Sequence, residues 1–291
     1  MRILITGAGG MLGKELAVLL PSANEVLPLG HSECDITVES QVERMFREWR
    51  PDLVVNCAAC ADVDGCELDS ERAFAVNATG AGHVARAAER LASRLFHIST
   101  DYVFDGQKRT PYTETDPPHP INAYGQSKWE GEKQVLERNG RSTAHLVIRT
   151  SWLFGIHRPS FVEKVMAEAQ SQTELQAVTD QIASPTWTFH LAQKIAELAG
   201  KPATGILHVV NGGECSRYEM AQAIVEILGR PVTIKPIAWP QLNRPAKRPA
   251  YSVLDCRRLV QLGLSPLPHW KQALEEHLRF RHRVTMMAQK I

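Results

Sequence analysis

Short apolar runs alternate with helical patterns along the first half of the chain. The apolar runs have the length and composition of buried parallel strands, and they lie at residues 2–6, 25–29, 51–56, 94–99 and 145–149. Helical patterns follow the first four of them, up to residue 20 and over residues 39–49, 71–91 and 124–139. Five such alternations predict an α/β fold with a doubly wound parallel sheet of the Rossmann type.

The second half of the chain is made of shorter α/β pieces. Its patterns predict helices at residues 161–171, 189–199, 216–228 and 269–281, and strands at residues 206–210 and 232–237. We therefore expect a dinucleotide-binding domain over residues 1–150 and a smaller, predominantly substrate-binding lobe over residues 151–291. The boundary is soft, because the chain can cross back and add strands to the main sheet.

Composition narrows the classes of partner. A chain of 291 residues can bury a substantial core, and its 33 basic and 32 acidic residues give no argument for nucleic acid or an anionic membrane. No apolar run approaches the length of a membrane span, and Met1 leads directly into a strand without a signal-peptide pattern. We expect a cytoplasmic protein with a small-molecule substrate, and a homodimer stays open.

Three of the six cysteines, Cys57, Cys60 and Cys66, lie close together in the sequence. A metal site or a redox site would use such a cluster, but no second Cys-x-x-Cys and no nearby histidine pair completes a zinc set. Cytosolic thiols also stay reduced as a rule. We therefore expect small buried thiols here and no metal.

A glycine-rich turn, TGAGGMLG at residues 6–13, links the first strand to the first helix. Such a turn lets the backbone approach a pyrophosphate, and the helix N-terminus offers free N–H groups. The usual Gly-x-Gly-x-x-Gly pattern fails, because Leu12 occupies the third glycine position, whereas Gly7-x-x-Gly10-x-x-Gly13 fits. The turn predicts a dinucleotide site, with an ordinary strand-to-helix turn as the alternative.

The end of the second strand bears on the choice of cofactor. It reads Leu29-Gly30-His31, with no carboxylate to bind the 2′-hydroxyl of NAD. Space is left for a 2′-phosphate, which His31 or Arg2 could assist, so NADP(H) is slightly favoured over NAD(H). Asp35 could face the adenine, and Thr37 is expected to cap the following helix.

Tyr124 and Lys128 are the first candidates for chemistry. At positions i and i+4 of a helix they share one face, and an ammonium beside a phenol would lower its pKa towards neutrality. That pair could protonate a carbonyl oxygen, although chance supplies the same spacing in many surface helices. Ser99 and Thr100, at the end of the fourth strand, could bond a substrate carbonyl or merely cap a turn.

Several motifs together resemble the extended short-chain dehydrogenase/reductases. These motifs are the glycine turn, STDYVFDG at residues 99–106 and Tyr-Gly-x-Ser-Lys at residues 124–128. Within that group the chain is most similar to the dTDP-4-dehydrorhamnose reductases. This likeness continues through RTSW at 149–152, Asp-Gln-x-x-x-Pro-Thr at 180–186 and Arg-Pro-x-x-Ser-x-Leu-Asp at 248–255, so it covers nearly the whole chain.

The resemblance implies a role for each matching residue. Tyr124 would donate the proton, Lys128 would tune its pKa and bind the ribose, and Thr100 would bond the reacting oxygen. The cofactor would lie against Tyr124 and Lys128. It would also contact Gly7, Gly10, Met11, Leu12, Gly13, Asp35, Ile36, Ala59, Cys60, Ala61 and Ile98. The sugar nucleotide would contact Thr100, Asp101, Trp152 and Arg248, and Asn77 falls at the position of the superfamily's helix asparagine.

The implied reaction is NAD(P)H-dependent reduction of the C4 keto group of dTDP-4-dehydro-L-rhamnose to dTDP-L-rhamnose, a precursor of cell-surface polysaccharides. Cys60 and Ala61 replace an aromatic or histidine and a threonine of the family pattern, and Cys66 replaces an alanine. The lost threonine hydroxyl removes one possible contact with the cofactor or the sugar. This affects which sugar is bound more than which reaction is catalysed. Two alternatives remain, a reductase of another dTDP-4-keto-6-deoxysugar and a non-catalytic NADP-binding regulatory subunit.

Overall fold

A computed structural model describes residues 1–138 and 144–288, with side chains described up to residue 283. The helices are α1 (Met11–Leu19), α2 (Glu39–Trp49), α3 (Val63–Leu68), α4 (Ser70–Phe74), α5 (Ala81–Arg90), α6 (Ala123–Leu136), α7 (Phe161–Ser171), α8 (Thr188–Ala199), α9 (Arg217–Ile227), α10 (Arg257–Gln261) and α11 (Trp270–Ala288). The strands are β1 (Arg2–Thr6), β2 (Glu25–Leu29), β3 (Leu53–Asn56), β4 (Arg94–Thr100), β5 (Leu146–Thr150), β6 (Leu153–Phe154), β7 (Glu174–Val178), β8 (Ile182–Ala183), β9 (Thr186–Trp187), β10 (Gly205–His208), β11 (Asn211–Gly212), β12 (Cys215–Ser216), β13 (Thr233–Ile237) and β14 (Leu267–His269).

The predicted Rossmann-type sheet is confirmed. Six parallel strands pair in the order β10-β5-β4-β3-β1-β2. Successive side chains of a strand point to opposite faces, which places Ile3 and Ile5 in one core and Leu4 in another. The first core is covered by α1, α8 and α10, and the second by α2, α5 and α6. Apolar side chains on both faces explain why the strands read as continuous apolar runs.

The chain crosses back into the main sheet, as the soft boundary allowed. β10 comes from the second half of the sequence and pairs with β5, with Ile206 opposite Val147. The remaining second half builds its own core, in which α7, α9 and α11 pack around the parallel pair β7 and β13. No helix in the described part of the chain has the length and apolar character needed to span a lipid bilayer.

Local details differ from the sequence-based predictions. The helix predicted over residues 71–91 is interrupted by a π-helical turn, Ala75–Gly80, between α4 and α5. The prediction that Thr37 caps α2 is wrong, because Val38 occupies the cap and the Thr37 hydroxyl donates to Asp35 at 2.8 Å. α6 ends at Leu136, and residue 139, where its end was predicted, lies outside the described residues.

Candidate active site

The glycine turn between β1 and α1 has the geometry of a phosphate site. Gly7 has a φ of 68°, and a Cβ on it would lie 2.4 Å from the backbone nitrogen of Ala58, so only glycine fits. No side chain of the described residues caps α1 at Gly10, and its first turn carries no acidic residue. The N–H groups of Met11 and Leu12 therefore lack helical acceptors and can meet an anion.

Open space and a positive charge lie beside this turn. A Cβ on Gly9 would meet no heavy atom within 4 Å, while Gly13 packs against the Gly7 carbonyl. The exposed Arg158 donates from Nε to the carbonyl of Gly9 at 3.1 Å. The turn thus fits a pyrophosphate, and Arg158 is a candidate phosphate ligand that the sequence motifs did not reveal.

The predicted adenosine end lies in the loop after β2. Asp35 accepts hydrogen bonds from the N–H and the hydroxyl of Thr37, at 2.9 and 2.8 Å, and these bonds hold the pKa of Asp35 below its usual value. Its other carboxylate oxygen lies 3.4 Å from Nε2 of the exposed His31. Ile36 is buried, so its side chain packs in the core below this loop.

Arg2 does not belong to this site. It begins β1, at the end of the strand opposite Gly7. Its guanidinium lies 4.6 Å above the Trp49 ring and 3.6 Å from the Glu25 carboxylate. The expectation that Arg2 assists a 2′-phosphate is therefore wrong, because cofactors bind at the carboxyl ends of parallel strands.

The loop after β3 carries Ala59 and Ala61, both exposed, and the partly buried Cys60 between them. The side-chain amide of Asn77 bonds both backbone groups of Cys60, accepting from its N–H at 2.9 Å and donating to its carbonyl at 3.0 Å. The same amide nitrogen donates to the Ser127 hydroxyl on α6 at 2.9 Å. Asn77, on the π-helical turn, thus ties the predicted nicotinamide loop to the helix that carries Tyr124.

The two hydroxyls at the end of β4 point in different directions. Ser99 donates to Glu132 at 2.5 Å in the core, so the expectation that it faces the cofactor cleft is wrong. Thr100 accepts from the N–H of Tyr102 at 3.1 Å and caps a 3₁₀ turn, Asp101–Val103. The Thr100 side chain also acts on Tyr124, because it opposes part of the rise that burial causes in the Tyr124 pKa. The structure thus shows Thr100 as the cap of this turn, and its role towards a substrate carbonyl stays a prediction.

Asp101 lies under this turn with only 2 % of its surface exposed. Its carboxylate accepts hydrogen bonds from three hydroxyls, those of Thr100, Ser151 and Ser252, at 3.0, 3.0 and 2.5 Å. Burial nevertheless raises the pKa of Asp101 to about 6. In this arrangement Asp101 orients Thr100 and draws segments from both halves of the chain together.

The start of α6 brings Tyr124 against the 3₁₀ turn. Asn122 caps the helix by accepting from the N–H of Gly125 at 2.8 Å. A Cβ on Gly125 would lie 2.1 Å from the carbonyl oxygen of Tyr102, so a glycine is required for this close approach. The rings of Tyr102 and Tyr124 then meet edge to face with centroids 5.9 Å apart.

The expected lowering of the Tyr124 pKa by Lys128 is not found. Burial raises the pKa of Tyr124, the hydrogen bond with Thr100 acts in the opposite direction, and the Asp101 charge adds to the rise. The Lys128 ammonium instead donates to the carbonyl of Ile98 at 2.6 Å, and burial lowers the pKa of Lys128 to about 8. Tyr124 is therefore a fully protonated phenol at neutral pH.

A chain of buried polar groups ends at Lys128. Asn56 accepts through Oδ1 from the Thr6 hydroxyl at 2.7 Å and from the N–H of Ala58 at 3.2 Å, which turns its amide nitrogen towards Nδ1 of His97. The other ring nitrogen of His97, Nε2, lies 3.4 Å from the Lys128 nitrogen. Burial lowers the pKa of His97 far enough that the ring stays neutral.

Three segments of the second half of the chain approach the same site. Trp152 adopts a φ of 42°, and the guanidinium of Arg217 lies 3.5 Å above its ring. Arg217 is close enough to Tyr102 and Asp101 for their charges to affect its pKa, which burial lowers to about 10. Arg248 donates to Asp64 on α3 at 2.8 Å. Sequence reasoning missed Arg217, although the capping sequence Ser-x-x-Glu at residues 216–219 marks a helix start there.

The structure thus brings Tyr124, Cys60 and Asn77 together beside the turn that Thr100 caps, with Lys128 one helical turn beyond Tyr124 and Arg217 near Asp101 and Tyr102. No group of three or more histidine, cysteine, aspartate or glutamate side chains in the described ranges could hold a metal ion. The site combines a phosphate-binding turn with a protonated phenol and two arginines. Such a combination suits reduction of a carbonyl on a phosphorylated substrate.

Comparison with known proteins agrees with this geometry. Residues 1–282 match the family described as RmlD substrate binding domain. The chain is 41% identical over 280 residues to dTDP-4-dehydrorhamnose reductase of Mycolicibacterium smegmatis, covering 94% of this chain and 84% of that protein. It is also 41% identical over 280 residues to a probable dTDP-4,6-dihydroxy-2-methyloxan-3-one 4-ketoreductase of Streptomyces antibioticus, covering 95% and 94%. The crystal structure of dTDP-4-dehydrorhamnose reductase from Bacillus anthracis in complex with NADP superimposes with a TM-score of 0.92 at 36% identity, covering 95% of this chain and 98% of that one.

Proposed function

The chain belongs to the RmlD substrate binding domain family, and from this premise we propose that it reduces the C4 keto group of dTDP-4-dehydro-L-rhamnose with NADPH, giving dTDP-L-rhamnose. The observation that carries the proposal is the position of Tyr124, which packs with Cys60 of the loop after β3 against one small cluster and meets Tyr102 of the turn that Thr100 caps. The related structure in complex with NADP supports NADP(H) as the cofactor.

The proposed cofactor contacts follow the carboxyl edge of the sheet. The N–H groups of Met11 and Leu12 would bind the pyrophosphate, and Arg158 would neutralise part of its charge. Asp35 would face the adenosine, and the backbone of residues 59–61 would lie against the nicotinamide. Lys128 would bind the ribose from its position on the Ile98 carbonyl.

The proposed proton transfer uses groups that the chain already aligns. Bound NADPH supplies the hydride for C4. The Tyr124 hydroxyl, which is protonated at neutral pH, would give its proton to the oxygen of the former carbonyl. The Thr100 hydroxyl, which donates to Asp101 in this structure, would turn to donate a second hydrogen bond to the same oxygen, and the Lys128 ammonium would stabilise the charge that develops on it.

Sugar-nucleotide binding is proposed for the opposite wall. Arg217 and Arg248 would bind the diphosphate, because one guanidinium group can donate two parallel hydrogen bonds to phosphate oxygens. Trp152 offers a ring face to the sugar or the base. Asp101 would act through the hydroxyl of Thr100, because its carboxylate is buried under three hydroxyl groups.

A single assay tests this function. Purified protein is mixed with NADPH and dTDP-4-dehydrorhamnose, and the loss of NADPH absorbance is followed together with product analysis by NMR. Turnover to dTDP-L-rhamnose is expected. NADPH binding without any turnover would favour the non-catalytic regulatory subunit.

The Streptomyces relative favours a second candidate, reduction of another dTDP-4-keto-6-deoxysugar, because its name gives a different sugar at the same 41% identity. The same assay over a panel of dTDP-4-keto sugars separates the two candidates. The ratio of kcat/KM values identifies the preferred sugar, and NMR of the product shows which face of C4 receives the hydride.

We keep three further proposals. Residues 1–150 would bind the cofactor and residues 151–291 mainly the substrate, although β10 joins the first part in one sheet. Ile156, Ile227 and Phe280 are each more than a third exposed and line one groove, which supports a homodimer that light scattering can test. A cytoplasmic location stays a prediction for cell fractionation.

A further inference from the structure

Cys60 and Cys66 form a close pair of thiols beside the proposed active site. Their sulfur atoms lie 3.3 Å apart, and both cysteines are free. Cys60 is partly exposed in the loop after β3, whereas Cys66 is fully buried on α3. The sequence predicts small buried thiols here, but a pair with one partly exposed member at this distance is suited to reversible oxidation.

The pair is connected to the groups that the proposed reaction uses. The side chain of Asn77 bonds the N–H and the carbonyl of Cys60 and also the hydroxyl of Ser127. Ser127 in turn donates to the carbonyl of Tyr124 at 2.9 Å. Cys66 packs in one small apolar cluster together with Ala73 and Ala123, and Tyr124 lies against that cluster. A movement of either sulfur therefore reaches the nicotinamide loop and α6.

The two thiols have different chemical roles in this arrangement. The Cys66 thiol donates towards the Cys60 sulfur and lies 3.4 Å from the Cys60 carbonyl. Burial and the hydrogen bond to Cys60 raise the pKa of Cys66 to about 12 in the reduced pair, so Cys66 keeps its proton until Cys60 has reacted. Cys60 is the partly exposed member of the pair, so it is the residue that an oxidant in solution can reach.

We propose that Cys60 and Cys66 are a redox-modification site, which low-molecular-weight disulfides convert to an intramolecular disulfide that weakens NADP(H) binding. The first part rests on the thiol geometry alone, and the effect on binding rests on the proposed cofactor site. The affinity for NADP(H) would then depend on the ratio of low-molecular-weight disulfides to thiols around the protein.

The oxidation balances with one disulfide, RSSR, as the oxidant. The Cys60 thiolate attacks one sulfur of RSSR, forming a Cys60–SR mixed disulfide and releasing RS⁻. Cys66 then loses its proton to the released thiolate, and its sulfur attacks the Cys60 sulfur and expels the second RS⁻, which takes a proton from water. Two protein thiols and one RSSR thus give one protein disulfide and two RSH.

Closing the bond has a structural cost at the cofactor loop. The sulfur atoms must approach by about 1.3 Å, from 3.3 Å to the disulfide length of about 2.0 Å. Because Cys66 is buried, the loop around Cys60 is the part that has to move. That movement stretches the two bonds between Cys60 and Asn77 and shifts the exposed backbone at Ala59 and Ala61.

The test uses the full chain equilibrated with mixtures of oxidised and reduced glutathione. Peptide mass spectrometry under non-reducing conditions should find a disulfide joining Cys60 and Cys66, and dithiothreitol should remove it. Fluorescence titration should show that NADPH binds the oxidised protein at least about fivefold more weakly. By thermodynamic reciprocity, saturating NADPH should shift the oxidation midpoint by the same factor in favour of the dithiol.

The control variants separate this inference from general oxidative damage. Cys66→Ala, which restores a small apolar side chain, should bind NADPH normally and show no response to oxidised glutathione. Cys215→Ser, with its thiol in the separate core around α9, should respond like the natural chain. Absence of the Cys60–Cys66 disulfide, or its formation with unchanged NADPH affinity, would overturn the inference. Failure of the untreated protein to bind NADPH would overturn the proposed cofactor site as well.

Discussion

At the scale of single residues, Tyr124 shows how burial can outweigh a neighbouring charge. Lys128 lies one helical turn away, but its ammonium is used by the Ile98 carbonyl, and Asp101 is the charge that acts on Tyr124. The raised pKa keeps the phenol protonated but also makes it a weaker acid, so the proposed proton transfer relies on the negative charge that the hydride brings to the carbonyl oxygen. The proposed reaction therefore needs the Tyr124 hydroxyl itself, in its protonated form.

Removal of this hydroxyl should stop the chemistry and leave cofactor binding nearly unchanged. For Tyr124→Phe we expect kcat to fall by about 10²- to 10⁴-fold, the usual contribution of general acid catalysis. NADPH affinity, measured by fluorescence titration, should stay close to that of the natural chain. Tyr218→Phe, which removes a hydroxyl bonded only to Gln222 in the described contacts, is the matched control. Unchanged turnover in Tyr124→Phe would contradict the assignment.

The lowered pKa of Lys128 predicts a limit to activity at alkaline pH. The proposed roles need the ammonium form, and burial brings the pKa of Lys128 down to about 8. We therefore expect kcat/KM to be constant below about pH 8 and to fall about tenfold per pH unit above it. Lys128→Met should bind NADPH more weakly and turn over slowly without this pH dependence. If kcat/KM of Lys128→Met also falls above about pH 8, the fall belongs to a group other than Lys128.

Lys128 should also make the stability of the protein depend on pH, and stability should rise over the pH range in which activity falls. An unfolded lysine has a pKa of about 10.4, so between about pH 8 and pH 10.4 the unfolded state binds more protons than the folded state. The contribution of Lys128 to the free energy of unfolding therefore rises with pH across this window. Urea denaturation at about pH 7 and about pH 10 should show this rise in the natural chain and lose it in Lys128→Met.

At the scale of elements, α6 carries Tyr124 and Lys128, the two residues proposed for the chemistry, and a buried ion pair fixes its position. Arg149 on β5 binds Glu132 through two hydrogen bonds of 2.8 and 2.6 Å, and both side chains are only 1% exposed. Ser99 adds a third bond to the same carboxylate. The helix is thus held to the sheet one turn beyond Lys128.

Loss of one partner of this ion pair should destabilise the fold strongly. Glu132→Ala leaves the Arg149 guanidinium buried without a counter-charge, and we expect the free energy of unfolding to fall by about 3–5 kcal/mol. Denaturant unfolding followed by circular dichroism measures this loss. Glu275→Ala, which removes a partner from an exposed pair with Arg279 on α11, should change stability by less than about 0.5 kcal/mol. Similar losses in the two variants would contradict the expectation.

Hydrophobic periodicity predicts these elements well where burial decides the structure. The five apolar runs of the first half became strands of one sheet, because each is covered by helices on both faces. Local polar chemistry was harder to predict. Thr37 bonds Asp35 instead of capping α2, and Ser99 turns to Glu132 instead of the cleft. Both choices depend on partners that sequence spacing does not reveal, 33 residues away for Ser99.

At the scale of the whole molecule, the second half of the chain completes a site that the first half begins. Asp101 accepts from Ser252, which lies 151 residues further along the chain, and Arg248 bonds Asp64 across 184 residues. Arg217 reaches the same region from the start of α9. Sequence motifs located the residues near Tyr124, but only the folded chain shows that Arg217 lies opposite them.

This arrangement predicts that Arg217 serves the sugar nucleotide and not the dinucleotide cofactor. Arg217 stacks on Trp152 at 3.5 Å and on Phe161 at 4.8 Å, so its guanidinium is held in place before substrate arrives. A lost charge-assisted hydrogen bond of about 1.5–3 kcal/mol corresponds to a rise in KM of about 10- to 150-fold. We therefore expect Arg217→Ala to raise KM for dTDP-4-dehydrorhamnose by about that factor, with NADPH affinity unchanged.

The control for this prediction is Arg230→Ala, because Arg230 is exposed and follows the other end of α9. Steady-state kinetics should give it the KM of the natural chain. Arg217→Lys tests the chemistry further, since lysine keeps the charge but loses the planar group that stacks on Trp152. It should restore only part of the affinity. A weakened NADPH affinity in Arg217→Ala, with KM for the sugar nucleotide unchanged, would place this arginine in the cofactor site instead.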